Sequence, residues 1–259
     1  MNISVVTVCL NSAATIAATI ESFLAQRHPE KQLLLIDGVS RDRSVEIVRA
    51  YNSPLIEVIS EPDRGIYDAM NKGLRLFRGD AIGFLNSDDA FHDEFALVRI
   101  AAALQDGDIA YGDQYLVADH RSKRIVRTWR AGEYYRRAFQ FGWVPPHPTF
   151  YVRRNVAEIV GEFETRYSIA ADYDFMLRAM VSRPFRIRYI PKFLVDYQVG
   201  GSSTNSLSSI LKGNLQCLDS RQTHLGSGPV DIALFMRVAR RLLQLNWRGL
   251  LVNARDRAN

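Results

Sequence analysis

The chain has 259 residues, 47% of them hydrophobic, and a formal net charge of +5. That length and apolar share exclude a largely disordered protein and supply enough material for one large α/β domain or two small ones. The charge is concentrated: Arg237, Arg240, Arg241, Arg248, Arg255 and Arg257 against Asp231 and Asp256 put most of it in residues 230–259, which argues against a nucleic-acid groove across the main domain.

At the start, MNISVVTVCLNSAATIAATI is apolar, but no positive charge precedes the apolar run and Asn11 and Ser12 break it, so a strand followed by a helix fits better than a signal peptide. Cys9 and Cys217 lie far apart without a C-x-x-C pattern, and the simplest setting is a reducing cytoplasm. Strands are predicted at 3–10, 32–38, 55–61 and 81–86, with helices near 12–26, 41–51, 65–78 and 92–104; the alternation is that of βαβ units on a mostly parallel sheet. Further on, 108–118 and 123–130 read as a hairpin or a pair of long strands, 171–180 as a helix, and 185–198 as a strand leading into the loop VGGSST. The stretch 141–154, with three prolines, has no clear period.

Each early strand runs into a polar cluster: Asn11 and Ser12, DGVSRD (37–42), EPDRG (61–65) and NSDD (86–89). In an open parallel sheet these ends share one edge, where ligands bind. The glycine-rich dinucleotide turn is missing after the first strand, and the nearest P-loop spacing, Gly107 to Gly112, is followed by Asp113 and Gln114 rather than Lys-Ser/Thr. A divalent cation is the other common way to hold a diphosphate, and adjacent carboxylates at a strand end suit it.

With these residues the chain resembles family 2 glycosyltransferases of the GT-A fold, through VVTVCLNSAATI (5–16), LLIDGVSRDRS (34–44), NSDD (86–89) and ADYD (171–174). The run SEPDRGIYDAMNKGLRLFRGDAIGFLNSDD (60–89) resembles more closely a subgroup of bacterial exopolysaccharide and glycolipid pathways. The resemblance implies one Rossmann-like nucleotide-binding α/β domain over 1–225, with a donor and metal half (1–105) and an acceptor half (106–225), and a basic helical tail over 226–259. It implies transfer of a sugar from a nucleotide diphosphate-sugar to a saccharide or lipid-linked acceptor, with inversion and with Mn²⁺ or Mg²⁺. A catalytically silent nucleotide-sugar-binding protein and a nucleotidyltransferase are the alternatives; the latter lacks its glycine- and arginine-rich loop here.

The resemblance assigns Thr7, Asn11, Asp37, Arg64, Asn71, Lys72, Asn86, Ser87 and Asp88 to the donor, Asp88 and Asp89 to the metal, and Asp172 to the base. Bland readings stand beside these. Asp37 is also a turn residue, Asp68 and Lys72 are spaced for an ion pair, Asp89 for a cap of the helix near 92–104, and residues 170–174 for a capped helix start. Asn86 and Ala171 replace the usual aspartate and glutamate, and Asp174 is a substitute base. His147, in PPHPTFYVRR, is an acceptor or phosphate candidate against a structural histidine, and Gly200, Gly201 and Ser202 resemble a loop that closes over the donor. In 230–252, Leu234, Val238, Leu242 and Leu245 against Arg237, Arg241 and Arg248 suit a helix lying on an anionic membrane, or one packed on the domain or on a second subunit as a homodimer.

Overall fold

The computed structural model describes residues 1–200, 207–226 and 232–233. In chain order its elements are β1 (Ile3–Cys9), α1 (Ile16–Leu24), β2 (Lys31–Asp37), α2 (Ser44–Ala50), β3 (Ile56–Ser60), α3 (Ile66–Leu76), β4 (Ala81–Phe84), β5 (Asp89–Phe91) and α4 (Ala96–Asp106). The second half adds β6 (Ile109–Val117), β7 (Ile125–Trp129), β8 (Tyr151–Arg153), α5 (Arg154–Val160), α6 (Ala171–Val181), β9 (Ile187–Gln198) and α7 (Leu207–Leu225). Residues 201–206 and nearly all of the 230–259 tail lie outside the described residues, so Gly201, Ser202 and the tail helix are not placed.

One mixed sheet runs β3-β2-β1-β4-β8-β6-β9-β5, with β7 paired to β6. β1 to β4, β6 and β9 point the same way, while β5, β7 and β8 are opposed. The parallel expectation holds for the first four strands, and the hairpin reading of β6 and β7 holds as well. The polar turns after β1, β2 and β4 therefore share one edge.

β1 is buried along its whole length because both faces of the sheet are covered, which is why it reads as a continuous apolar run. Val6, Val8, Leu34 and Ile36 pack with Tyr67 and Met70 of α3 and with α6 on one face; Val5, Leu33 and Leu35 pack with α1 and α4 on the other. Gly73 lets α3 lie close on β1: a Cβ there would come within 2.5 Å of Val6 Cγ1.

Consecutive arginines then tie both layers to β8. Arg153 donates to the carbonyls of Leu104, Gln105 and Gly107 at the end of α4, and Arg154 to those of Phe77 and Gly79 at the end of α3. Helix C-termini leave such carbonyls without intrahelical partners, and a cation there also suits the helix dipole.

Candidate active site

The turns at the sheet edge are welded to one another. Asn11 Oδ1 accepts from Arg41 N and its own amide donates to Ser40 Oγ, both at 2.8 Å, while Ala13 N donates to Asp42 Oδ2 at 2.9 Å. Ser12 and Ser87 share a hydroxyl hydrogen bond at 2.7 Å, joining the turns after β1 and β4. Asn11 (φ 53°), Val39 (φ 63°) and Gly65 (φ 121°) hold left-handed backbone here. For β-branched Val39 that is an uncommon conformation, of the kind that clusters at functional sites.

Several residues assigned to the donor are engaged in this scaffold. Asp37 is fully buried and accepts from Ser40 N, Ser40 Oγ and Ser60 Oγ; it holds the turn after β2, and its carboxylate does not face open space toward a nucleobase. Thr7 is fully buried in β1. Asn71 clasps Phe163 by donating to its carbonyl at 3.0 Å and accepting from its amide at 2.7 Å. Lys72 donates to the Pro62 carbonyl and pairs with Glu61 at 3.0 Å, so it pins the EPDRG loop and does not form the alternative pair with Asp68. Asp68 instead meets Arg64 at 3.2 Å. Arg64 itself is exposed and lines, with Asp68, Arg75, Glu162 and Arg178, a polar groove of 390 Å³ that includes neither Asp88 nor Asp172.

The acidic pair at 88–89 divides sharply. Asp89 lies in β5, so it does not cap α4, which begins at Ala96. It is fully buried, accepting from Asn86 Nδ2 at 2.9 Å and from the Gln198 amide at 3.2 Å. Burial and, next, the charge of Asp88 push its pKa well above the carboxylate range. Both oxygens are thus held by protein donors. Asn86 is likewise engaged, its amide turned to Asp89.

Asp88 is half-buried, and among the described residues no other residue donates to its carboxylate. Burial raises its pKa, opposed by its own amide and by the charge of His120. His120, which the sequence reading passed over, sits on the β6–β7 turn with Nε2 2.7 Å from the Asp88 carbonyl. No group of three or more His, Cys, Asp or Glu able to hold a metal occurs among the described residues. A lone hard oxygen donor does not suit an all-protein cage, but it fits a Mg²⁺- or Mn²⁺-type ion whose other ligands are phosphate and water.

Asp172 and Asp174 divide in the same way. Asp174 is fully buried, accepting from Arg178 Nε at 2.8 Å and Ser220 Oγ at 2.7 Å, with His224 Nε2 at 3.1 Å. Both of its oxygens are thus engaged by protein groups. Asp172 is half-buried, and its Oδ1 lies 3.1 Å from the hydroxyl of Tyr67, a residue absent from the expected set. The same hydroxyl reaches the Ile169 carbonyl at 2.6 Å. Burial and the charge of Asp172 raise the Tyr67 pKa well above its ordinary value, so the hydroxyl stays protonated.

His147 stacks on Phe84 at the end of β4 (5.6 Å) and meets Phe163 edge-on (6.1 Å). Burial lowers its pKa, and the charge of Asp172 opposes that drop. His147 is therefore a neutral ring at ordinary pH, between the strand leading to Asp88 and the helix carrying Asp172. Gly200 is exposed just beyond β9, at φ 120°.

A mixed α/β sheet with paired acidic turns at its carboxyl edge is the architecture of GT-A glycosyltransferases. Solved structures with that fold superpose closely: Staphylococcus aureus TarS 1–349 in complex with UDP (TM-score 0.68, 20% identity, covering 90% of this chain and 68% of that one) and the mannosyltransferase PcManGT of Pyrobaculum calidifontis in complex with GDP-Man and Mn²⁺ (TM-score 0.65, 17% identity, 90% and 66%). The sequence profile of glycosyl transferase family 2 matches residues 4–159, and the chain belongs to that family. Its relatives include a PGL/p-HBAD biosynthesis glycosyltransferase of Mycobacterium bovis, 29% identical over 210 residues and covering 79% of each chain. An uncharacterized glycosyltransferase of Mycobacterium tuberculosis is 29% identical over 225 residues, covering 83% of this chain and 81% of that one.

Proposed function

We propose that the protein transfers a sugar, with inversion, from a nucleoside diphosphate-sugar to a hydroxyl of a saccharide or lipid-linked acceptor in bacterial surface-polysaccharide or glycolipid assembly. The observation that carries this reading is the pair of half-buried, sparsely partnered carboxylates, Asp88 and Asp172, in a family 2 glycosyltransferase. Asp172 takes the acceptor's proton as that oxygen attacks the anomeric carbon, and the bond from that carbon to the diphosphate breaks with its electron pair leaving on the diphosphate. One base and an in-line attack give inversion. Tyr67 orients Asp172, and neutral His147 lies beside the acceptor's approach.

Asp88 would hold Mg²⁺ or Mn²⁺, which when bound supplies Lewis-acid stabilisation of the leaving diphosphate. The UDP- and GDP-Man-bound neighbours support a nucleotide-sugar donor. Arg64 and Ser87 remain candidates for donor contact, Ser87 through its place beside Asp88. Residues 1–225 are taken as the transferase domain and 226–259 as a separate basic segment that meets an anionic membrane from the cytoplasmic side. Among the described residues no helix is long and apolar enough to cross a membrane.

The reading is tested by thermal-shift screening of nucleoside diphosphate-sugars with Mn²⁺ or Mg²⁺. Failure to bind any nucleoside diphosphate sinks it. Binding without transfer or hydrolysis favours the silent-binder alternative, which the departures at Asn86 and Ala171 motivate. For the tail, liposome co-sedimentation unchanged by deleting 230–259 rejects the membrane role.

A further inference from the structure

The helix that carries Asp172 has no side-chain cap of its own, because its N-cap position is Ala170. The amides just ahead of the helix find their acceptor on α7 instead. Gln216 Oε1 accepts from the amides of Ile169 (3.0 Å) and Ala170 (3.1 Å), and Gln216 Nε2 donates to Ser168 Oγ at 3.3 Å. About one turn further along α7, Asp219 accepts from the Tyr167 hydroxyl, Ser220 donates to Asp174 Oδ1 at 2.7 Å, and Arg221 donates to the Tyr173 hydroxyl at 2.9 Å. From Tyr167 to Asp174 the chain leans on α7 at most positions; Asp172 instead meets Tyr67.

We propose that α7 is the positioning element for Asp172, with Gln216 as its principal contact. By binding the two amides that precede α6, Gln216 fixes where the first turn of that helix sits relative to Tyr67. The Tyr67 hydroxyl has one hydrogen and two acceptors within reach, the Ile169 carbonyl and Asp172 Oδ1. Both acceptors belong to the segment that α7 holds, so a small slip of that segment changes which of them the hydrogen serves and where the Asp172 carboxylate points. Gln216 touches no substrate in this scheme; it acts through α6. The inference rests on Asp172 being the base.

The test compares Gln216→Leu, which removes the acceptor oxygen, with Gln216→Glu, which keeps one at the same reach. Both are made in the full chain, with Asp172→Asn alongside. The substrate is the sugar nucleotide giving the largest thermal shift in a panel of UDP-, GDP- and dTDP-sugars. Gln216→Leu should lower kcat on the order of tenfold, less than the 10²-fold that about 1 Å of misplacement costs, with donor KM and nucleotide binding within about twofold of the parent. Gln216→Glu should recover kcat to within about threefold. Parental kcat in Gln216→Leu, or equal losses in both variants, overturns the proposal. If Gln216→Leu fails to fold, Ser220→Ala replaces it, and a drop in donor affinity matching any drop in kcat overturns the proposal in the same way. Full turnover by Asp172→Asn would instead overturn the base assignment, so the two failures are separable.

Discussion

The turn at 86–89 and the helix start at 171–174 are built alike. Each carries two acidic residues, and in each one carboxylate is fully buried and engaged by protein donors while the other is half-buried with few. Asp89 is held by Asn86 and Gln198, and Asp174 by Arg178, Ser220 and His224. The lesson is that an anchored carboxylate next to a sparsely partnered one fixes the backbone from which the second side chain reaches the reactants. The two regions differ in how the anchor is compensated. Asp174 has the Arg178 cation at 2.8 Å, whereas among the described residues Asp89 is met by the neutral donors Asn86 and Gln198, and it carries a raised pKa.

The largest expected effect breaks the pairing at 171–174. Asp172→Asn should lower kcat by about 10²–10⁴, the usual worth of a general base, with the melting temperature unchanged. Asp174→Ala should act on stability first, with a smaller loss of kcat than Asp172→Asn. It leaves Arg178 and Ser220 without their buried partner, so chemical denaturation should show a loss of about 3 kcal/mol, the lower end for breaking a buried pair. Calorimetric titration of a nucleoside diphosphate with Mn²⁺ sharpens the other pair: Asp88→Ala should weaken binding by about 10–100-fold, while Asp89→Asn should stay near the parent. Equal losses in both would restore Asp89 as a ligand.

The smallest effect concerns the seam that supplies Asp89 with its Gln198 donor. His92 follows β5 directly, and its ring lies 2.8 Å from Asp196 on β9. That hydrogen bond raises the His92 pKa from 6.5, with help from the charges of Asp196 and Asp93 and against burial and Lys123. A raised folded-state value means the protonated pair stabilises the fold fully below pH ~6.5 and that this contribution is lost as pH rises through the raised value. His92→Phe should flatten that slope in denaturation midpoints measured across neutral pH, by about 0.5 kcal/mol for a partly exposed pair.

Much of the fold was legible in the sequence. β1 to β4 announce themselves as aliphatic runs between helical periods, and α6 by Phe175, Leu177 and Met180. β5 and β8, three residues each, are too short to show a period. α7 was missed because LSSILKGNLQCLDSRQTHL mixes polar and apolar residues without a clear stripe; its polar side chains face α6, not solvent alone. The motifs also located the candidate carboxylates. They could not say which were fully engaged, because only Asn86 and Arg178 are local partners, while Gln198, Ser220 and His224 lie tens of residues away. The Phe163 partner of Asn71 is distant in the same way, whereas Lys72 reaches the nearer Pro62 carbonyl. Tyr67 had one available signal, a hydroxyl in the first turn of α3 within GIYDAMNKG.

Arg153 and Arg154 have a consequence for how the molecule comes apart. Neighbouring residues at the end of β8 reach opposite layers, so the dipeptide acts as a rivet through the sheet: neither α3 nor α4 loosens at its C-terminal end without exposing guanidinium groups and carbonyls that the other layer's fastening holds in place. In native-state hydrogen exchange the amides at the ends of those two helices should therefore open together, as one cooperative unit, although they lie on opposite faces of the sheet.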